Sequence, residues 1–116
     1  MSSIIRTAKA FISIFSNKYT DSTEYVFFDF TNIIAASTHI TGATVSIQVI
    51  SGVDASANNV LSGSPSYIPG PGSGSYNTVV RQKIVGGVNG VKYKITCTPT
   101  TPSLTALSAF ITAATP

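Results

Sequence analysis

The chain has 116 residues, of which 43% are apolar and only 9% charged, and seven Lys and Arg against four Asp and Glu leave a net charge of +3. That length suits one domain with a core of its own, and a single cysteine and a single histidine exclude an intrachain disulfide and a His/Cys metal centre. The cations are too few and too dispersed for a nucleic-acid footprint, and no apolar run approaches the roughly 18 residues of a membrane span, so neither nucleic acid nor membrane is expected as a partner.

Residues 1–18 are ambiguous in period. Ile4, Ile5, Ala8, Phe11, Ile12 and Phe15 fit a helical stripe, while Phe11, Ser13 and Phe15 alternate as in a strand. Arg6 and Lys9 ahead of Ala10 to Phe15 imitate a signal peptide, but Ser13 interrupts the apolar run and no small-x-small site precedes Asn17 and Lys18. The segment is expected to be an N-terminal arm or an extra edge element, with Ile4, Ile5, Phe11, Ile12 and Phe15 as candidate assembly contacts, because apolar side chains are costly to leave wet.

Residues 19–116 form the body. After a polar turn, Tyr25 to Phe30 is an aromatic strand. A loop through Asn32 and Ala35 to Ser37 leads to His39 to Ile50, where Val45, Ile47 and Val49 alternate with Thr44, Ser46 and Gln48 in the period of a half-buried strand. Ser51 to Asn59 is rich in turn formers, and Val60 and Leu61 begin a short strand. Ser64 to Asn77 reads as a loop, since its prolines and glycines oppose ladder bonding. From Tyr76 to Val85, Val80 and Ile84 share one face and Arg81 and Lys83 the other. Gly86, Gly87 and Gly90 then mark a sharp corner, where glycine supplies φ > 0. Val91, Tyr93, Ile95 and Cys97 alternate with Lys92, Lys94, Thr96 and Thr98, and after a TPTTPS turn Leu104 to Ala113 supplies the last strand.

About six or seven short strands at intervals near ten residues imply an all-β fold, an immunoglobulin-like antiparallel β-sandwich with an N-terminal arm. In such sandwiches a tyrosine near the start of the sixth strand turns its hydroxyl onto the corner backbone, which places Tyr93 with Gly86, Gly87 and Gly90 as a structural corner. Cys97 falls on the inward face and is expected to be buried and inert. GPGSGS at residues 70–75 lacks the Lys-Ser/Thr and the helix of a phosphate cradle. Asp21, Glu24, Asp29 and Asp54 are dispersed, and His39 has no nucleophile in a recognisable context. No catalytic, cofactor-binding or metal-binding residue is assigned.

The order Tyr25-x-Phe27-x-Asp29-Phe30, Ile33, then Ala36-Ser37-Thr38 before a strand, then GGVNGVKYKIT and a short terminal strand, resembles a recurring Ig-like structural protein of tailed bacteriophages. The resemblance spans about residues 20–113 and is most specific at Gly86 to Thr96. It implies a non-enzymatic virion component without cofactors, assembled in the host cytoplasm, whose partners are capsid or other virion proteins and further copies of itself. A decoration or cement protein on the assembled shell is the leading expectation, with a neck, collar or tail component as the alternative. From another class, a glycan- or receptor-binding adhesion module would need exposed aromatics, and Tyr67 and Tyr76, flanking the glycine loop, are its candidate surface-loop contacts.

Overall fold

The computed structural model describes residues 5–8, 15–20, 22–70 and 72–114. Among them are eight strands: β1 Ile5–Ala8, β2 Phe15–Tyr19, β3 Thr23–Asp29, β4 Gly42–Ser51, β5 Leu61–Pro69, β6 Asn77–Val85, β7 Lys92–Thr101 and β8 Leu107–Ala114, with a 3-10 turn at Ala57–Val60. They form two sheets, ordered β1-β3-β6-β5 and β2-β8-β7-β4. Alternation decides which face of each strand is inward. Val26 and Phe28 of β3, Val80 and Ile84 of β6, Tyr93, Ile95 and Cys97 of β7, and Leu107, Ala109, Ile111 and Ala113 of β8 are buried in one cluster. Both sheets contribute to that cluster, so they pack face to face, an arrangement consistent with a β-sandwich. Each fully buried Val, Ile or Phe contributes about 1.5 to 3 kcal/mol to the layer.

Three expectations are corrected. First, β1 runs parallel to β3 and β2 parallel to β8, so the sheets are antiparallel only from β3 onward. The described parts of residues 1–18 lie at the edges of the two sheets, as the edge-element alternative has it. Second, the stretch read as a loop from Ser64 is strand β5, which pairs with β6 up to Pro69. Proline is tolerated there because β5 is an edge strand with ladder partners on one side only. The register also shifts between Ser62 and Ser66, taking Pro65 out of the regular ladder. Inside this bulge the Gln82 amide, almost fully buried, donates towards the carbonyls of Ser62, Gly63 and Lys83 at 3.3, 3.1 and 2.9 Å. Third, β7 continues to Thr101 and β8 begins at Leu107, so residues read as turn extend one strand and shorten the next.

The glycine corner carries the chain from β6 in one sheet to β7 in the other. Gly86, Gly87 and Gly90 have φ of 63°, 106° and 83°, the left-handed region that side chains resist. A Cβ on Gly87 would also lie 3.0 Å from the Ala113 Cβ. The Tyr93 ring is fully buried beneath this turn, and its hydroxyl accepts from the Val88 N–H at 2.9 Å and donates to Asp54 Oδ2 at 2.7 Å. Asp54 Oδ1 accepts from the Ser56 N–H at 2.9 Å, so the carboxylate also orders the β4–β5 connection. Because the chain changes sheet here, Arg81 and Lys83 lie on the outer face of one sheet and Lys92 and Lys94 on that of the other.

Tyr93→Phe removes both bonds and leaves a part-buried carboxylate without its donor. The folded state is expected to lose about 1 to 3 kcal/mol, read as a lower urea midpoint at unchanged slope. An unchanged midpoint would contradict a holding role for the hydroxyl.

Two buried acids make stability depend on pH on the alkaline side. Burial raises the Tyr93 pKa above its ordinary value of 10.0, with Asp54 adding to the rise and the Val88 N–H opposing it. Burial pushes the Cys97 thiol from 9.0 up to about 12. Both groups are neutral when protonated, and both bind their proton more tightly in the folded state. Their contribution is therefore complete below the unfolded values and is lost as pH rises through the folded ones. Melting temperature is expected to fall as pH climbs from 9 towards 12, and Cys97→Ala should make that fall shallower. At neutral pH the native thiol should resist a thiol reagent that the urea-unfolded chain consumes at once.

Candidate functional site

Two loops meet at the end of the molecule opposite the glycine corner: residues 30–41, between β3 and β4, and residues 70–76, between β5 and β6. Buried Phe30 and Ile40 anchor both ends of the first loop in the core. The Phe30 N–H donates to the Thr78 carbonyl at 2.9 Å, and the Ile40 N–H to the Asn77 carbonyl at 2.8 Å. Between these anchors the N–H groups of Ile33 and Ile34 both turn back to the Phe30 carbonyl at 2.9 Å. The second loop closes on itself through Ser73, whose hydroxyl lies 2.6 Å from the Gly70 carbonyl and 3.0 Å from that of Tyr76.

A chain of hydroxyls ties the loops together. The Thr31 hydroxyl and N–H both donate to Asp29 Oδ1, at 2.5 and 2.9 Å. With the Thr31 proton committed to a carboxylate, the 2.8 Å contact between Thr31 and Thr78 hydroxyls must be donated by Thr78. The Thr78 oxygen in turn accepts from the Gly70 N–H at 3.1 Å. Gly70 is required for contact, since a Cβ there would meet both threonine hydroxyls closer than any real Cβ contact.

Above this relay lies a cleft of about 490 Å3 with Thr31, Ile34, Ser37, Ser73, Tyr76 and Thr78 among its walls. Its lining carries hydroxyls, small alkyl groups and one phenol ring, with no carboxylate, imidazole, thiol or amine among the described residues. The Tyr76 ring lies 4.8 Å from that of His39, inclined at 45°. His39 Nδ1 accepts from the Asn77 N–H at 3.0 Å, so the neutral ring carries its proton on Nε2. Among the described residues no three His, Cys, Asp or Glu side chains converge on a point. The arrangement can hold a neutral polar group by hydroxyl contacts and ring stacking.

The other candidates disperse. Tyr67 and Tyr76 do not form a shared platform: Tyr67 lies on β5 opposite Val80 and packs against the core, while Tyr76 faces the cleft. Their spacing in sequence hid this because residues 64–69 belong to a strand and not to the loop. Ile5 lies in β1 opposite Tyr25 and Phe15 in β2 opposite Phe110, while Ile4, Phe11 and Ile12 lie outside the described residues. The corner residues Gly86, Gly87, Gly90 and Tyr93 come together as described above.

Two features have no local signal in the sequence. Asp54 as the partner of Tyr93 is one. The other is a cationic and aromatic cluster on the outer face of β3 and β6, where Tyr25 lies opposite Lys83 and Phe27 opposite Arg81. There the Arg81 guanidinium sits 5.3 Å from the Tyr25 ring centroid and donates to the Ser66 hydroxyl at 3.1 Å. No family model matches the chain, and no curated protein or solved structure matches it either.

Thr78→Val is expected to sever the relay, leaving the Gly70 N–H unbound and lowering stability by about 2 to 3 kcal/mol. Amide exchange should quicken at Gly70 and Phe30 while the β7 amides keep their protection at low denaturant. Uniform loss of protection across the sheet would show that the relay does not act locally.

Proposed function

We propose that this protein is a non-enzymatic structural component of a tailed-phage virion, a decoration protein that binds the assembled capsid shell. The observation that carries the reading is that Asp54, Asp29, His39 and Cys97 are each held within the fold and, among the described residues, converge on no common site. Asp54 is held by Tyr93, Asp29 by Thr31, and His39 Nδ1 by the Asn77 amide, while the Cys97 thiol is kept protonated in the core. The outward face of β4 is uncharged, with Thr44, Ser46 and Gln48 exposed, and apolar tips are exposed at Ile33, Val53 and Val88. Surfaces of this kind favour contact with other proteins over chemistry.

The phage assignment rests on the resemblance at Gly86 to Thr96, whose glycines and tyrosine build the crossing between the sheets. An immunoglobulin-like topology accords with it. If β1, β3, β4, β5, β6, β7 and β8 are taken as strands A to G, the sheets read A-B-E-D and C-F-G, with β2 added beside G. The parallel pairing of β1 with β3 is the departure from that pattern. A neck, collar or tail component shares this chemistry and differs in location. The adhesion reading is favoured by one observation, the hydroxyl-lined cleft beside Tyr76.

A small domain gains useful affinity by touching several lattice subunits at once. The protein should co-sediment with stripped capsid shells and bind unassembled capsid protein at least about tenfold more weakly. Equal binding to both, or to neither, overturns the decoration role. A glycan array hit abolished by Tyr76→Ala would move the assignment to adhesion.

A further inference from the structure

Four strands form the sheet edges, and three of them are guarded. β1 and β2 are short, at 4 and 5 residues. β5 carries Pro65 and Pro69 and a register shift. Prolines, bulges and short length are the devices that keep an edge from pairing with another chain. β4 is long, with 10 residues, GATVSIQVIS, free of proline and charge, and its register shifts fall only near its two ends, at Gly42/Ala43 and Val49/Ser51. Between them the strand is regular, rich in β-branched residues, and among the described residues paired on the β7 side alone.

Burial points the same way. The inward residues of β7, Tyr93, Ile95 and Cys97, are fully buried, whereas their β4 partners Val49, Ile47 and Val45 are only half-buried. Ile50, at the end of the regular stretch, is 45% exposed. The side of the molecule at β4 is therefore open, with apolar groups reachable along an unprotected backbone edge.

We infer that the free edge of β4 pairs with β4 of a second copy of this chain, in antiparallel register about Ile47, joining two sheets into one continuous sheet. The strand selects itself as occupant. Antiparallel pairing about Ile47 sets Val45 opposite the second copy's Val49 and Ser46 opposite its Gln48. Apolar residues then meet apolar residues on the inner face and polar meet polar on the outer face. Having no charge, β4 brings no like charges together and offers nothing to a charged peptide. Its own alternation of uncharged polar and β-branched residues is the pattern that continues the ladder on both faces. Ile50 is covered by the second copy's Thr44. The contact is isologous, so it uses up both free edges and closes as a dimer. This inference does not depend on the virion assignment: it concerns the isolated protein.

The register makes the test specific, because Ser46 and Gln48 point to solvent and are cross-strand neighbours only in the dimer. Sedimentation equilibrium of the full chain should show a reversible dimer. Ser46→Glu with Gln48→Glu sets two pairs of like charges opposite each other and should weaken the dimer by about tenfold or more. Ser46→Lys with Gln48→Glu sets two opposite-charge pairs in the same places and should restore it. Both variants place a glutamate beside Lys94 within the chain, so they differ only at position 46, and matching circular dichroism melts exclude misfolding as the cause. In the native chain, amide exchange over Ala43 to Ile50 should slow as concentration rises. A chain that stays monomeric at millimolar concentration, or charge variants that dimerise equally well, would overturn the proposal.

Discussion

The chain passes from one sheet to the other at Gly86 to Val91, and the Tyr93 hydroxyl holds that crossing against the β4–β5 connection. Its oxygen takes the Val88 N–H and its proton goes to Asp54, whose second oxygen orders Ser56. Gly52 also lies against Val91, and the Ser51–Lys92 pair ends the ladder beside them, but the hydroxyl supplies the polar tie between the two segments. The bond geometry is possible because the corner glycines adopt backbone angles that bring Val88 over the ring. The Gly90 N–H meanwhile donates to the Ala113 carbonyl at 2.8 Å, and the Ala113 N–H returns to Val91 at 3.0 Å, fastening the corner to β8.

Polar groups inside the sandwich are arranged around irregularities in the ladder. Gln82 lies on the inward face of β6 between Val80 and Ile84, where an apolar residue would ordinarily sit. Its amide meets carbonyls freed where β5 bulges past Pro65, so the bulge and the buried amide explain each other. Glu24 is likewise inward on β3 and fully buried, taking the Ser22 hydroxyl at 2.6 Å. No buried side-chain nitrogen or oxygen among the described residues lacks a hydrogen-bond partner, so the interior tolerates these groups without the cost of an unmade bond.

The two ends of the molecule differ in kind. One carries the corner, with exposed Val53 and Val88 beside the Tyr93 bond network. The other carries the hydroxyl relay and the cleft, a surface built from short polar side chains on two mutually braced loops. The low charge of the whole chain suits both, because contacts made through hydroxyls, backbone edges and single apolar tips need no opposite charge to find. That is the physical content shared by the shell-binding proposal and the strand-pairing inference, although each stands on different residues.

Alternation was legible in the sequence wherever one face of a strand is buried and the other wet. Val45, Ile47 and Val49 against Thr44, Ser46 and Gln48 locate β4, and Tyr93, Ile95 and Cys97 against the lysines and threonines locate β7, because the two-residue period is a local property. The corner glycines were legible for the same reason: a left-handed backbone angle is a demand made on one residue at a time. β5 was not legible, since proline opposes a strand only where both sides must pair, and whether a strand lies at an edge depends on the rest of the sheet. Nor was the partnership of Asp54 with Tyr93, the separation of Tyr67 from Tyr76, or the relay from Asp29 to Gly70. Each depends on which distant strands become neighbours, and that is decided by the burial of a common core, a sum over the whole chain that no local pattern contains.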